Sequence, residues 1–140
     1  MHNPDLARDY LRRAEVRLEA LNVLLEGESW ADVVREAQEI VELTLKGLLR
    51  SCGIDPPRIH DVSGILLAER ERLPGNLQDD VEVLAEASRQ LRRDRELAFY
   101  GAEDLTPSGF YSEKDAVRAR DCARTTVATV KPHVLGGPEE

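Results

Sequence analysis

The stretch SWADVVREAQEIVELTLKGLLRSCG, residues 29–53, decides the fold. Ser29-Trp-Ala-Asp32 has the spacing of a capping box, in which a hydroxyl and an acid three residues on satisfy the first free amides of a helix. From there a stripe of small and apolar residues runs through Trp30, Val33, Val34, Ala37, Val41, Thr44, Leu45, Leu48 and Cys52. The steps of three and four mark one face of a helix, and Gly53 closes it.

Working outward, the N-terminal side repeats the pattern. Asn3-Pro4-Asp5 supplies an N-cap, a proline for the first helical position and an acid for the first turn. Leu6, Tyr10, Leu11, Ala14, Leu18, Leu21 and Leu25 then trace one helical face, and Gly27 is expected to end it. Two long helices joined by two or three residues must lie antiparallel. On the C-terminal side, the connector Ile54 to Asp61 contains Pro56 and Pro57, which cannot continue a helix. A short helix is predicted from Val62 to Arg72, burying Val62, Ile65, Leu66 and Leu73, with Pro74-Gly75 breaking it. Asn76-Leu-Gln-Asp79 caps a fourth helix whose stripe runs Leu77, Val81, Leu84, Ser88, Leu91, Arg95 and Ala98. After a loop from Gly101 to Tyr111, Ser112-Glu-Lys-Asp115 caps a last helix burying Ala116, Ala119, Ala123, Val127 and Val130. No segment alternates as a half-buried strand does. The expected fold is all-α: an up-and-down four-helix bundle with a short additional helix in the middle connection. Residues 1–135 form one domain in this reading, and 136–140 a disordered tail.

Composition narrows the function classes. A chain of 140 residues holds one core, and with aromatics at 4% that core is aliphatic. A formal net charge of -8 argues against wholesale nucleic-acid binding, which rests on phosphate neutralisation, but permits a local basic site. Cys52 and Cys122 have no metal spacing and read as small apolar residues in a reducing compartment. The start Met1-His-Asn-Pro-Asp5 has neither the basic region nor the apolar run of an export signal, and no apolar run is long enough to span a membrane. A cytoplasmic location is expected.

Standard catalytic signatures are missing: no Walker A loop, Rossmann glycine pattern, GxSxG or HExxH. No histidine falls at Glu-x-x-His spacing, so a di-metal bundle, and any metal site or cofactor, is not expected. His60 precedes Asp61 at the start of the short helix, where a structural role in the turn is expected and Asp61 is the N-cap residue. The basic residues are more informative. Arg89, Arg92 and Arg93 lie on the fourth helix with Arg95, and Arg95 falls on the apolar stripe. A buried arginine is unfavourable unless paired. Arg95 is therefore either the polar centre of a phosphate site or an ion-pair partner of an acid such as Asp115 or Asp121. Tyr100 follows on the same helix end and can line the same cleft, while Tyr111 reads as an amphipathic plug of the bundle end.

These residues resemble the HEPN domain (higher eukaryotes and prokaryotes nucleotide-binding), in its prokaryotic single-domain branch. The resemblance extends from about Tyr10 to Val130. It rests on Tyr10-Leu-Arg-Arg-Ala14, on the stripe Ala37, Val41, Leu45-Lys46 and Leu48, and on the proline-rich turn with His60-Asp61. It continues through Arg95 and Tyr100, Pro107 and Tyr111, then Asp115-Ala116 with Ala119 and Ala123. The resemblance implies a homodimer formed through the long helices and a partner resembling a minimal nucleotidyltransferase, in a toxin–antitoxin arrangement. Several branches of the family are metal-independent ribonucleases using an Arg-x(4–6)-His motif, and in some pairs the partner adenylylates a tyrosine nearby. Here the histidine would fall at Tyr100, Gly101 or Ala102 counting from Arg95, or at Ala98, Phe99 or Tyr100 from Arg93, and none of these is a histidine. RNA cleavage needs groups that move protons near neutral pH, and a phenol with a pKa near 10 is a poor substitute. The expected function is nucleotide or RNA-phosphate binding without turnover, with Arg95, Tyr100, Arg92 and Arg93 as ligand-binding candidates and His60, Tyr111 and Asp115 in structural roles. Two alternatives stay open: a ribonuclease using Tyr100 or His60 for proton transfer, and a plain helical interaction module.

Overall fold

The second helix is the axis of the bundle. The computed structural model describes residues 4–100 and 107–136, with side chains described for 4–90 and 109–136. Helix α1 spans Pro4–Glu26, α2 Trp30–Ser51, α3 Ser63–Ala68, α4 Val81–Tyr100, α5 Pro107–Phe110 and α6 Glu113–Val134. Helix α2 packs against α1, α4 and α6. Its expected stripe is buried at Val33, Val34, Ala37, Val41, Thr44, Leu45 and Leu48, while Trp30 and Cys52 at its ends are half-buried. Ala31, Gln38, Ile40, Gly47 and Leu49, off that stripe, are buried as well. One amphipathic face underestimates a helix with neighbours on three sides. Among the described residues there is no strand, so the four long helices α1, α2, α4 and α6, with α3 inserted, make the expected up-and-down bundle.

Ion pairs and close contacts fix the directions of the helices. Arg17 on α1 reaches Glu36 at 2.7 Å and Glu39 at 2.9 Å on α2. At the other end of the pair Gly47 sits where a Cβ would come within 2.6 Å of Leu11 Cδ2 and 3.1 Å of Tyr10 Cβ. Early residues of α1 thus meet late residues of α2, an antiparallel pair. Lys131 of α6 pairs with Glu15 of α1 at 2.7 Å, and Arg124 reaches Asn22 at 3.5 Å, so α6 also runs antiparallel to α1. The small residues Ala116, Ala119 and Ala123 are buried, which lets α6 sit close against its neighbours.

The helix ends differ in detail from expectation. Helix α1 stops not with Gly27 in the left-handed conformation but with Glu28, at φ 56°. Ser29 N–H donates to the Leu24 carbonyl at 2.9 Å and Glu28 N–H to Leu25 at 3.0 Å, the paired bonds of a Schellman cap. The same pair recurs after α2, where Ile54 N–H donates to Leu49 and Gly53 N–H to Arg50, with Gly53 at φ 76°. The capping box expected at Ser29 does not close on the backbone: Ser29 Oγ donates to Asp32 Oδ2 at 2.6 Å instead. In α1, Ala7 is fully buried whereas Leu6 is half-buried, a one-residue rotation of the expected face. The short helix of the connection breaks after Ala68 into a 3-10 turn at Arg70–Arg72. Leu77 belongs to a second 3-10 turn, Gly75–Asp80, that leads into α4. Asp61 does not occupy the N-cap position of α3, which falls to Val62.

Candidate functional site

The backbone of α4 carries Arg92, Arg93, Arg95 and Tyr100 in its last turns, and their side chains lie outside the described residues. The loop 101–106, on which a motif histidine was sought, also lies outside them. Helix α5 ends at Phe110, whose ring meets that of Tyr111 edge to face at 4.8 Å with an interplanar angle of 81°. Tyr111 is 6% exposed and belongs to the core, while Phe110 is 44% exposed. Ser112 opens α6 with a complete capping box. Its Oγ accepts from Asp115 N–H at 3.4 Å, and Asp115 Oδ2 accepts from Ser112 N–H at 2.9 Å and from Ser112 Oγ at 3.0 Å. Asp115 thus caps the helix, and Asp121 pairs with Arg120 at 3.1 Å.

Next to this turn, α4 and α6 both pack on α2 but, among the described residues, make little contact with each other. Between them opens a groove of about 660 Å³, floored by Val34 of α2 and walled by Val83 and Ala87 on one side and Ala119 and Cys122 on the other. Gln90 and Tyr111 also line it. Burial pushes the Cys122 thiol above its ordinary range, with a Thr126 hydrogen bond pulling weakly the other way, so the thiol stays protonated.

The connector before α3 is held by polar contacts to both neighbouring helices. His60 Nδ1 lies 2.7 Å from Glu42 Oε1 on α2, and Lys46 Nζ meets the other carboxylate oxygen at 2.9 Å. His60 is therefore tied to the bundle, with its ring half-exposed at the edge of a polar depression of about 350 Å³ that also touches Tyr10, Arg13 and Arg17. One residue on, fully buried Ser88 of α4 accepts from Val62 N–H at 3.0 Å and donates to Asp61 Oδ1 at 3.3 Å, which also accepts from Ser63 N–H at 2.9 Å. Burial works against ionising Asp61, but the bonds from Ser63 and Ser88 and the nearby charge of Arg89 outweigh it. The carboxyl is held below its ordinary value. Arg89 itself meets Glu86 at 3.6 Å on the exposed side of α4.

The HEPN-domain family model matches residues 7–133. The chain belongs to the HEPN family. No curated protein and no solved structure gave a significant match. The match extends over all four long helices of this HEPN domain, with the connector and the turn before α6 inside it. Among the described residues of the HEPN bundle no helix is long and apolar enough to cross a membrane.

Sequence reasoning missed two residues that the structure makes prominent. Glu42, the partner of His60, lies 18 positions away and offered no local signal. Gln38 is fully buried, and among the described residues neither its Oε1 nor its Nε2 has a hydrogen-bond partner. Its spacing of four from Val34 and three from Val41 already placed it on the buried face of α2.

Proposed function

We propose that this HEPN domain binds the phosphates of a nucleotide or RNA near Arg95 without cleaving them, as one half of a pair with a minimal nucleotidyltransferase. In this reading residues 1–135 act as a single cytoplasmic domain of the prokaryotic single-domain branch, working as a homodimer in a toxin–antitoxin arrangement. One observation carries the reading: a family match across residues 7–133 in a chain that has the basic run Arg89, Arg92, Arg93 and Arg95 but no histidine five to seven positions after any of these arginines. Guanidinium groups bind phosphate oxygens in paired, charge-assisted hydrogen bonds. They bind without supplying the proton transfers that cleavage requires. The occupied carboxylates support a binding role further, since Asp115 serves the helix cap and Asp121 pairs with Arg120.

A thermal-shift panel with ATP, ADP, AMP and a short RNA tests the proposal. A ligand that binds only the folded state stabilises it by RT ln(1 + [L]/Kd), about 2.7 kcal/mol at a hundredfold excess over Kd. Stabilisation by one of these ligands, lost in Arg95→Ala, is expected. No stabilisation by any of them refutes binding. Cleavage of RNA in EDTA that disappears in Arg95→Ala would replace binding with ribonuclease activity.

A further inference from the structure

We propose that the outer face of α1 is the surface on which a second copy of this chain docks, antiparallel, about a two-fold axis. The proposal rests on the homodimer of the reading above and gives that homodimer its surface. Val16 and Val23 are the most exposed of the large apolar residues described, at 71% and 70%. Ala20 between them is exposed as well. At 3.6 residues per turn the three fall within about 60° of arc. They lie opposite Ala7, Leu11, Ala14 and Leu21, the buried residues through which α1 serves the core.

Charge selects the occupant. Arg12, Glu19 and Glu26 follow one flank of the stripe at intervals of seven residues, and all three are exposed. Among the described residues Arg12 and Glu26 make no ion pair, and Glu19 accepts only from Asn22, at 3.3 Å. Arg13, on the other flank, is engaged by Asp9 at 3.8 Å. The open flank thus runs from a cation near its N-terminal end to an anion at its C-terminal end. In an antiparallel pair the two-fold axis sets each flank against the same flank of the other copy. With Val16 of one copy against Val23 of the other, Arg12 comes opposite Glu26 at both ends of the contact. Ala20, near the axis, lets the two helices approach closely. A parallel pair sets Arg12 against Arg12 and Glu26 against Glu26, and a uniformly basic or acidic helix matches only one end of the flank. The unfavourable element is Glu19, which falls near the axis opposite its own equivalent. From Arg12 to Glu26 the contact is about 21 Å long, roughly four turns of each helix. So small an interface makes a weak, concentration-dependent dimer.

Sedimentation velocity of the full chain, from micromolar to millimolar concentration, tests the surface. A dimer is expected. Arg12→Glu and Glu26→Arg should each weaken it at least about tenfold, and the double variant Arg12→Glu, Glu26→Arg should restore it. Val16→Ser with Val23→Ser should weaken it to a similar degree, and Glu19→Gln should tighten it. All these positions are exposed, so circular dichroism should find the variants folded. Charge reversals that weaken the dimer without rescue by the double variant overturn the antiparallel register. A dimer indifferent to the charge reversals and to the valine substitutions overturns this surface and leaves the homodimer to another face. A chain that stays monomeric at every concentration overturns both, and assigns the stripe to a different protein.

Discussion

Replacing Gln38 by methionine should make the protein more stable. The amide, on α2, is completely enclosed, and among the described residues neither of its polar atoms has a partner. Burying an amide without compensating hydrogen bonds costs about 1–3 kcal/mol on the scale of protein mutational data. Methionine has nearly the same length and volume and three rotatable bonds, so it can follow the path of the glutamine without opening a cavity. Gln38→Met should therefore raise the unfolding free energy by about 1–3 kcal/mol, which for a chain of this size is a rise in Tm of roughly 3–10 °C. Urea unfolding followed by circular dichroism measures it directly. The midpoint should move up while the slope against denaturant stays constant, because the folded surface is unchanged. Gln38→Glu brackets the result from the other side, since a carboxylate at the same place is either buried as a charge or forced to take a proton. If Gln38→Met instead lowers the stability, the amide is bonded in the native protein, to an enclosed water for instance, and has no desolvation penalty to relieve.

Three further outcomes follow from the helix contacts. Asp61 has a folded pKa below its unfolded value, so its stabilisation is present above pH 4 and is lost as pH falls through the folded pKa. Asp61→Asn should cost about 1 kcal/mol at pH 7, a deficit that urea titrations should find shrinking as the buffer is taken below about pH 4; a deficit independent of pH would detach the effect from the carboxylate. Gly47→Val should lose about 1–3 kcal/mol despite removing a helix-interior glycine, because its Cβ would lie 2.6 Å from Leu11 and 3.3 Å from the Ala7 carbonyl oxygen, both on α1. A thermal melt showing no loss would mean that α1 shifts freely against α2. Glu28→Gly should gain about 0.5–1 kcal/mol in denaturant unfolding, since Glu28 holds φ 56° in a Schellman cap where glycine is unstrained; a loss would show that the side chain contributes more than the backbone strain takes away.

The long helices were legible because their signal is repeated. α2 carries nine stripe positions, and misreading one of them does not move the helix. The ends were less legible because each depends on a single residue's conformation. Gly27 was the obvious terminator of α1, but the hydrogen bonds to Leu24 and Leu25 place Glu28 in the left-handed position. The connector was legible as a break, through Pro56 and Pro57, and illegible in its attachments. Ser88 is an unremarkable small residue on an apolar stripe until Val62 and Asp61 are seen to meet it across 26 and 27 positions of sequence. The same is true of the candidate site. A capping box such as Ser112–Asp115 is written in four consecutive letters, so the role of Asp115 at the start of α6 could be anticipated. Whether an arginine on a stripe meets a ligand or an acid is decided by residues far away in the chain, and for Arg95 those contacts lie outside the described residues.

The central position of α2 also sets an order of events in the cell. Both helices of the α1–α2 hairpin have been synthesised once residue 51 is made, whereas α6 ends about eighty residues later, roughly 4–16 s at ordinary rates of synthesis. Through that interval the flanks of α2 that pack on α4 and α6 in the finished bundle, Val34 among them, lack those helices. The nascent chain therefore presents an adhesive flank for seconds, and its yield in a host should depend on the supply of chaperones and on the speed of translation beyond α2 as much as on the stability of the finished fold.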